Sequence, residues 1–194
     1  MHLNNLIKRS LLTILGIIFL QSAFSQENYI QGFVVNTDGD TIHGLIDYRN
    51  WKKNPDKISF KKQASDNPII HTPLSIKYFG VADEIYAGSI VETDLSRIKT
   101  DELEHGKEPK IKVDTIFLQS IILGTKSLYL YNTDAGRELF YILQDTTFNM
   151  LIYKRYLSDI EASDIKENKK YLSQLAVYLK DCPGIQRNFE TLQY

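Results

Sequence analysis

The residues able to do chemistry are few and far apart. His43, His71 and His105 stand singly, no pair of histidines is spaced i, i+4, and Cys182 is the only cysteine. A zinc set needs a cluster of such ligands, so this pattern offers none. Asn36, Asp38, Asp40 and Asp47 fall where a calcium loop carries ligands. The glycine comes two positions too early for that geometry and the last acid is Asp, so the better reading is a turn whose Asp side chains bond their own backbone. Gly124-Thr125-Lys126-Ser127 has the flavour of a phosphate loop without the glycine that must precede it, and a tight turn explains it. Ser59 and Ser75 sit in no Gly-x-Ser-x-Gly context. The sequence therefore names no cofactor, no metal site and no catalytic residue.

Two features remain. Tyr48 and Trp51, at a strand end and in the loop after it, are a candidate interaction pair, because large aromatics dominate interfaces. Their competing role is to close the open end of a β core. Cys182 follows Asp181 at the end of a helix, where the dipole and the carboxylate both disfavour a thiolate. As the odd cysteine of an exported chain, it is a candidate for an intermolecular disulfide.

The elements that must position these residues are mostly strands. Tyr29–Val35 and Thr41–Tyr48 flank an Asp-Gly pair and read as a hairpin. Lys57–Lys61 alternates, Ile69–His71 follows an Asn-Pro turn, and Ile76–Val81 and Ile85–Thr93 flank another tight turn. Residues 94–111 are crowded with charge and read as a solvated loop. Strands resume at Ile111–Leu123, Ser127–Tyr131 and Arg137–Leu143, and Asn149–Leu157 reads as a further strand or the start of a helix. Leu172, Leu175, Ala176 and Leu179 then recur at helical spacing within Lys166–Asp181, with Pro183-Gly184 as the stop.

The first 25 residues have a different logic. Lys8 and Arg9 precede the apolar run Leu11–Leu20, and Ala23-Phe24-Ser25 supplies small residues at the positions a signal peptidase reads. A run of about 10 residues rises only ~15 Å as a helix, half of a hydrocarbon core. We therefore expect residues 1–25 to be a cleaved signal peptide, leaving Gln26 first. With no cysteine after the run, there is no site for lipid attachment there. The mature chain of about 169 residues is the size of one domain, with a net charge of about −3. That charge gives no electrostatic reason to bind nucleic acid or an anionic bilayer. Most strands are shorter than the roughly 9–11 residues of a membrane-spanning barrel strand and the chain ends in a helix, so nothing in the mature chain reads as a transmembrane span.

Gly32-Phe33-Val34-Val35, Gly39-Asp40-Thr41-Ile42, Gly44-Leu45-Ile46-Asp47-Tyr48, Asn50-Trp51 and Asn54-Pro55 resemble the opening of exported proteins common in Bacteroidetes-type bacteria. Phe117-Leu118-Gln119 and Cys182-Pro183 are similar to further stretches of that family. The resemblance implies a family of unknown function, whose longer members carry this domain ahead of an outer-membrane-type β-barrel. It implies no catalytic residues.

The expectation is a mainly β (α+β) protein: a signal-peptide helix, then an antiparallel sheet or barrel-like domain over 26–181 that ends in one amphipathic helix, then a tail over 182–194. Its expected role is that of a non-enzymatic accessory or interaction module of the periplasm or envelope, with an envelope protein as partner. The alternative is a periplasmic enzyme with an unrecognised site.

Overall fold

The computed structural model describes residues 28–158 and 164–182. The expected signal peptide, the Pro183-Gly184 stop and nearly all of the tail lie outside those residues. Among the described residues the chain is mainly β, with one large antiparallel sheet and one C-terminal helix.

The strands are β1 (Tyr29–Val35), β2 (Thr41–Asp47), β3 (Ile58–Lys61), β4 (Ile69–His71), β5 (Tyr78–Val81), β6 (Glu84–Asp94), β7 (Ile111–Ile122), β8 (Leu128–Asn132), β9 (Glu138–Gln144) and β10 (Thr147–Met150). They form a single sheet in the order β10-β9-β8-β7-β6-β5-β1-β2-β3-β4, open at both ends rather than closed as a barrel. Most neighbours are consecutive in the chain and joined by short turns. The exception is β1, which pairs with both β2 and β5, so the β1–β4 meander folds back beside β5. In the first hairpin Asn36 Oδ1 accepts the backbone N–H groups of Gly39 and Asp40 at 2.9 and 2.8 Å, and Gly39 takes the positive φ that the turn requires.

This sheet has two cores, one on each face. Cross-strand partners share a face, and successive residues alternate between faces. Tyr86 of β6 lies opposite Phe79, with Val34, Ile46, Phe60 and Phe117 in the same cluster. Its neighbour Ala87 lies opposite Leu118 and points to the other face, among Ile116, Tyr129, Leu139 and Tyr141. The β1–β5 half covers one face of the β6–β7 pair, and the β8–β10 half curls over the other. Phe117 and Leu118 are consecutive and both fully buried. That double burial is why Ile116-Phe117-Leu118 reads as a continuous apolar run rather than an alternating one.

Gly88 keeps the two halves close. A Cβ there would overlap the Pro73 carbonyl oxygen, and Gly88 N–H donates to Lys77 O at 2.9 Å. Only a residue without a side chain lets the 72–77 segment lie on β6.

One expectation is corrected in the C-terminal half. The expected helix over Lys166–Asp181 is shorter: helix α1 spans Lys170–Tyr178, and Ile165–Asn168 is instead strand β12, paired with β11 (Lys154–Leu157). The apolar spacing at Leu172, Leu175 and Ala176 belongs to the helix. Ahead of it, Ile165 to Asn168 find an unfilled edge on β11, and pairing there outweighs a weak helical preference.

The charged stretch 94–111 is the solvated loop expected, with most of its charged side chains exposed, and its two ends are tied to the sheet. Asp94 and Arg137 form an ion pair at 2.7 Å with side chains 2% and 12% exposed, and Asp94 Oδ1 accepts the N–H groups of Ser96 and Lys110. Arg137 also donates to the carbonyls of Ser96 and Tyr153. Buried Lys154 donates to Glu108 O, and Asn168 to Lys107 O. Within the loop the charges pair locally and stay largely exposed, Arg97 and Lys99 with Glu102 and Lys110 with Glu104.

Helix α1 covers one edge of the sheet. Gln174 donates from Nε2 to Met150 O and accepts the Ile152 N–H at Oε1, so its amide behaves as a short strand beside β10. Tyr178 Oη accepts the Ser127 N–H and donates to Leu143 O. The opposite edge, β4, has no strand beside it among the described residues, and Ile69 and Ile70 are each half-exposed.

Candidate functional site

The connection between β2 and β3, residues 49–57, crosses the end of the first core and builds a broad concavity. Its anchor is Asn54, 8% exposed. The β7–β8 ladder runs as far as Gln119 opposite Leu130. Beyond that the strands part, and the Asn54 side chain fills the gap. Nδ2 donates to Phe117 O and Leu130 O at 2.8 and 2.9 Å, and Oδ1 accepts the Asn132 N–H at 2.9 Å. All three groups would otherwise be strand donors and acceptors without partners, a costly condition once buried.

With Asn54 pegged there, the loop stands away from β3, β4 and the start of β1. The space between is a cleft of about 1030 Å³. Tyr29, Trp51 and Tyr131 line it, together with the cations Arg49, Lys52, Lys53 and Lys57 and the carboxylates Asp47, Asp56 and Asp134. Asp47, largely buried, holds Arg49 at 2.7 Å, and Lys53 reaches Asp134 at 2.6 Å. On one wall Tyr29 Oη hydrogen-bonds Ser59 Oγ at 2.7 Å, and Lys61 Nζ lies 4.2 Å above the Tyr29 ring.

The sequence candidates take distinct places. Trp51 stands edge-on to Tyr48, Phe79 and Tyr86, with ring centroids 5.0, 6.0 and 5.9 Å away. Tyr48 and Trp51 therefore pack against the first core and close its end, and Trp51 also lines the cleft while Tyr48 does not. Burial first, and then the Glu84 carboxylate, push the Tyr48 hydroxyl above the ordinary phenol value. The same causes in the same order raise Tyr86, whose hydroxyl donates to Glu84 at 2.9 Å. Cys182 is a free thiol, partly buried, at the far end of the sheet beside the Lys126–Asp181 pair.

The histidines do not converge. His71 packs on Phe60, and burial lowers its pKa. Ser75 Oγ lies 3.4 Å from His71 Nδ1, but that hydroxyl is engaged in its own turn with the Thr72 carbonyl and N–H. Among the described residues no three His, Cys, Asp or Glu side chains are grouped to hold a metal, and no helix is long and apolar enough to cross a membrane.

What sequence reasoning missed is the local charge. Residues 49–62 carry Arg49, Lys52, Lys53, Lys57, Lys61 and Lys62 against the single acid Asp56, in a chain of formal net charge −1. A total near zero concealed this run. Asn54 was visible only as half of an Asn-Pro turn. No protein-family model, no curated protein and no solved structure matches this chain.

Proposed function

We propose that this protein is an exported, non-enzymatic interaction module of the periplasm or envelope that acts by contact at the 49–57 cleft. The cleft carries the proposal: a broad concavity with three aromatic rings and four cations, held open by the buried Asn54 peg. Recognition sites are concave, with aromatic walls and a few placed polar groups. The basic-apolar-small order of residues 1–25 and the resemblance to exported Bacteroidetes-type proteins support the compartment.

The test is crosslinking in the cell envelope. A photoreactive residue is placed at Ile70 or Lys52 on the cleft, and at Val177, exposed on α1, as the distant control. One adduct of a single mass from both cleft positions and not from Val177 is the expected result. No adduct, or the same adducts from all three, would overturn contact at the cleft. Repeating the experiment with Cys182→Ser, with and without reductant, shows whether the cysteine takes part.

A further inference from the structure

Resting on that reading, we infer that the cleft takes an acidic polysaccharide, a chain of sugar rings bearing carboxylate groups. The lining is mixed, and the mixture is informative. Lys52 and Lys57 offer cationic donors, and Arg49 and Lys53 are already oriented by Asp47 and Asp134. A ligand matched to such a wall must carry anionic acceptors. Asp56, and the Asp134 oxygen not held by Lys53, can each accept a further hydrogen-bond donor. An acidic peptide or a nucleic-acid backbone supplies the anions with few or no hydroxyl donors beside each one.

A uronic acid supplies both kinds of group. Its carboxylates meet the lysines and its hydroxyls donate to the acids. Tyr29, Trp51 and Tyr131 complete the match, because the C–H face of a sugar ring carries positive edges toward the negative face of an aromatic ring. In the cleft four cations face three carboxylates, and with Arg49 paired to Asp47 and Lys53 to Asp134, Lys52 and Lys57 against Asp56 leave a small positive excess that favours an anion. A cleft of about 1030 Å³ accommodates several rings of an extended chain.

The measurement is calorimetric titration of the purified protein with an oligogalacturonate. A neutral maltooligosaccharide of equal length and an oligoglutamate serve as comparisons. Lys52→Gln/Lys57→Gln is the test variant; both positions lie on the cleft and neither is part of a core cluster. We expect binding of the oligogalacturonate that weakens as salt rises, and about fivefold weaker binding by the double variant, as two exposed charge contacts predict. The maltooligosaccharide should bind far more weakly. Absence of oligogalacturonate binding, equal affinity for the neutral sugar, tighter binding of oligoglutamate, or indifference to the double substitution would each overturn the inference. A crosslinked protein partner at Ile70 and Lys52, with no sugar binding, would leave contact at the cleft standing and remove only the ligand assigned here.

Discussion

The two halves of the sheet share β6 and β7 but are closed by different means. On the β1–β5 side, closure is aromatic: Phe79 stacks on Tyr86 at 4.7 Å, Phe117 stands edge-on to Phe79, and Trp51 caps the group. On the β8–β10 side, apolar packing is supplemented by polar staples that tie distant segments together. Arg137 joins Asp94 to two carbonyls, Tyr141 Oη donates to Glu92 O, and Gln174 and Tyr178 fasten α1. Dispersion and burial are non-directional, so a ring cluster tolerates small displacements. A buried ion pair has no such tolerance, because removing one partner strands the other. The first half should therefore lose stability gradually under substitution, and the second abruptly.

The strongest test of that contrast is Arg137→Ala. It leaves the Asp94 carboxylate buried without its cation and removes two carbonyl contacts, so we expect a loss of about 3–5 kcal/mol in chemical denaturation. A loss below about 1 kcal/mol would show that the second half does not depend on the staple. Asp94→Asn combined with Arg137→Met should restore part of the loss, since no buried charge then remains.

Phe117→Ala and Leu118→Ala form the next test. The residues are adjacent, equally buried, and face opposite cores. Each truncation should cost about 3 kcal/mol. Hydrogen exchange should rise mainly in β1–β5 for Phe117→Ala and mainly in β8–β10 for Leu118→Ala. Matching exchange patterns would mean that the two cores unfold as one.

Asn54→Ala comes third, at about 2 kcal/mol, because three buried backbone groups lose their partner. This variant should also increase proteolysis within 49–57 while leaving β9 and β10 protected. The smallest effect is in pH. Burial lowers the His71 pKa below its unfolded value near 6.5. Over the interval between the two values the unfolded chain binds more protons. The His71 contribution is therefore intact above the unfolded value and is lost as pH falls toward the folded one. His71→Phe should flatten that part of the stability profile, and an unchanged profile would assign the slope to other groups.

Much of the strand order along the chain could be read from local pattern. The Asp38-Gly39 turn between alternating runs specifies the β1–β2 hairpin, and the pairing of Tyr29 with Asp47 through Val35 with Thr41 follows from turn length and alternation. The apolar spacing at Leu172, Leu175 and Ala176 is enough for a helix, though not for its first residue. These signals are local because hairpin turns and helical turns bond residues a few positions apart.

The rest is decided by residues far apart in the chain. Nothing near Val34 announces that β1 will pair with β5, nor that consecutive Phe117 and Leu118 will serve separate cores. Asn54 reads as a turn residue until β7 and β8 part and expose carbonyls within its reach, and Asp94 reads as a loop acid until Arg137 arrives from the turn before β9. The cleft follows the same rule. Its cations are written in residues 49–62, but Tyr29, Ile70, Tyr131 and Asp134 join them only because the folded sheet brings four separate segments together. Local pattern thus determined the elements and most of their hairpins. Only the tertiary structure chose the partners of the buried polar groups, because a donor or a charge has no preferred mate in sequence and acquires one when burial removes water as the alternative.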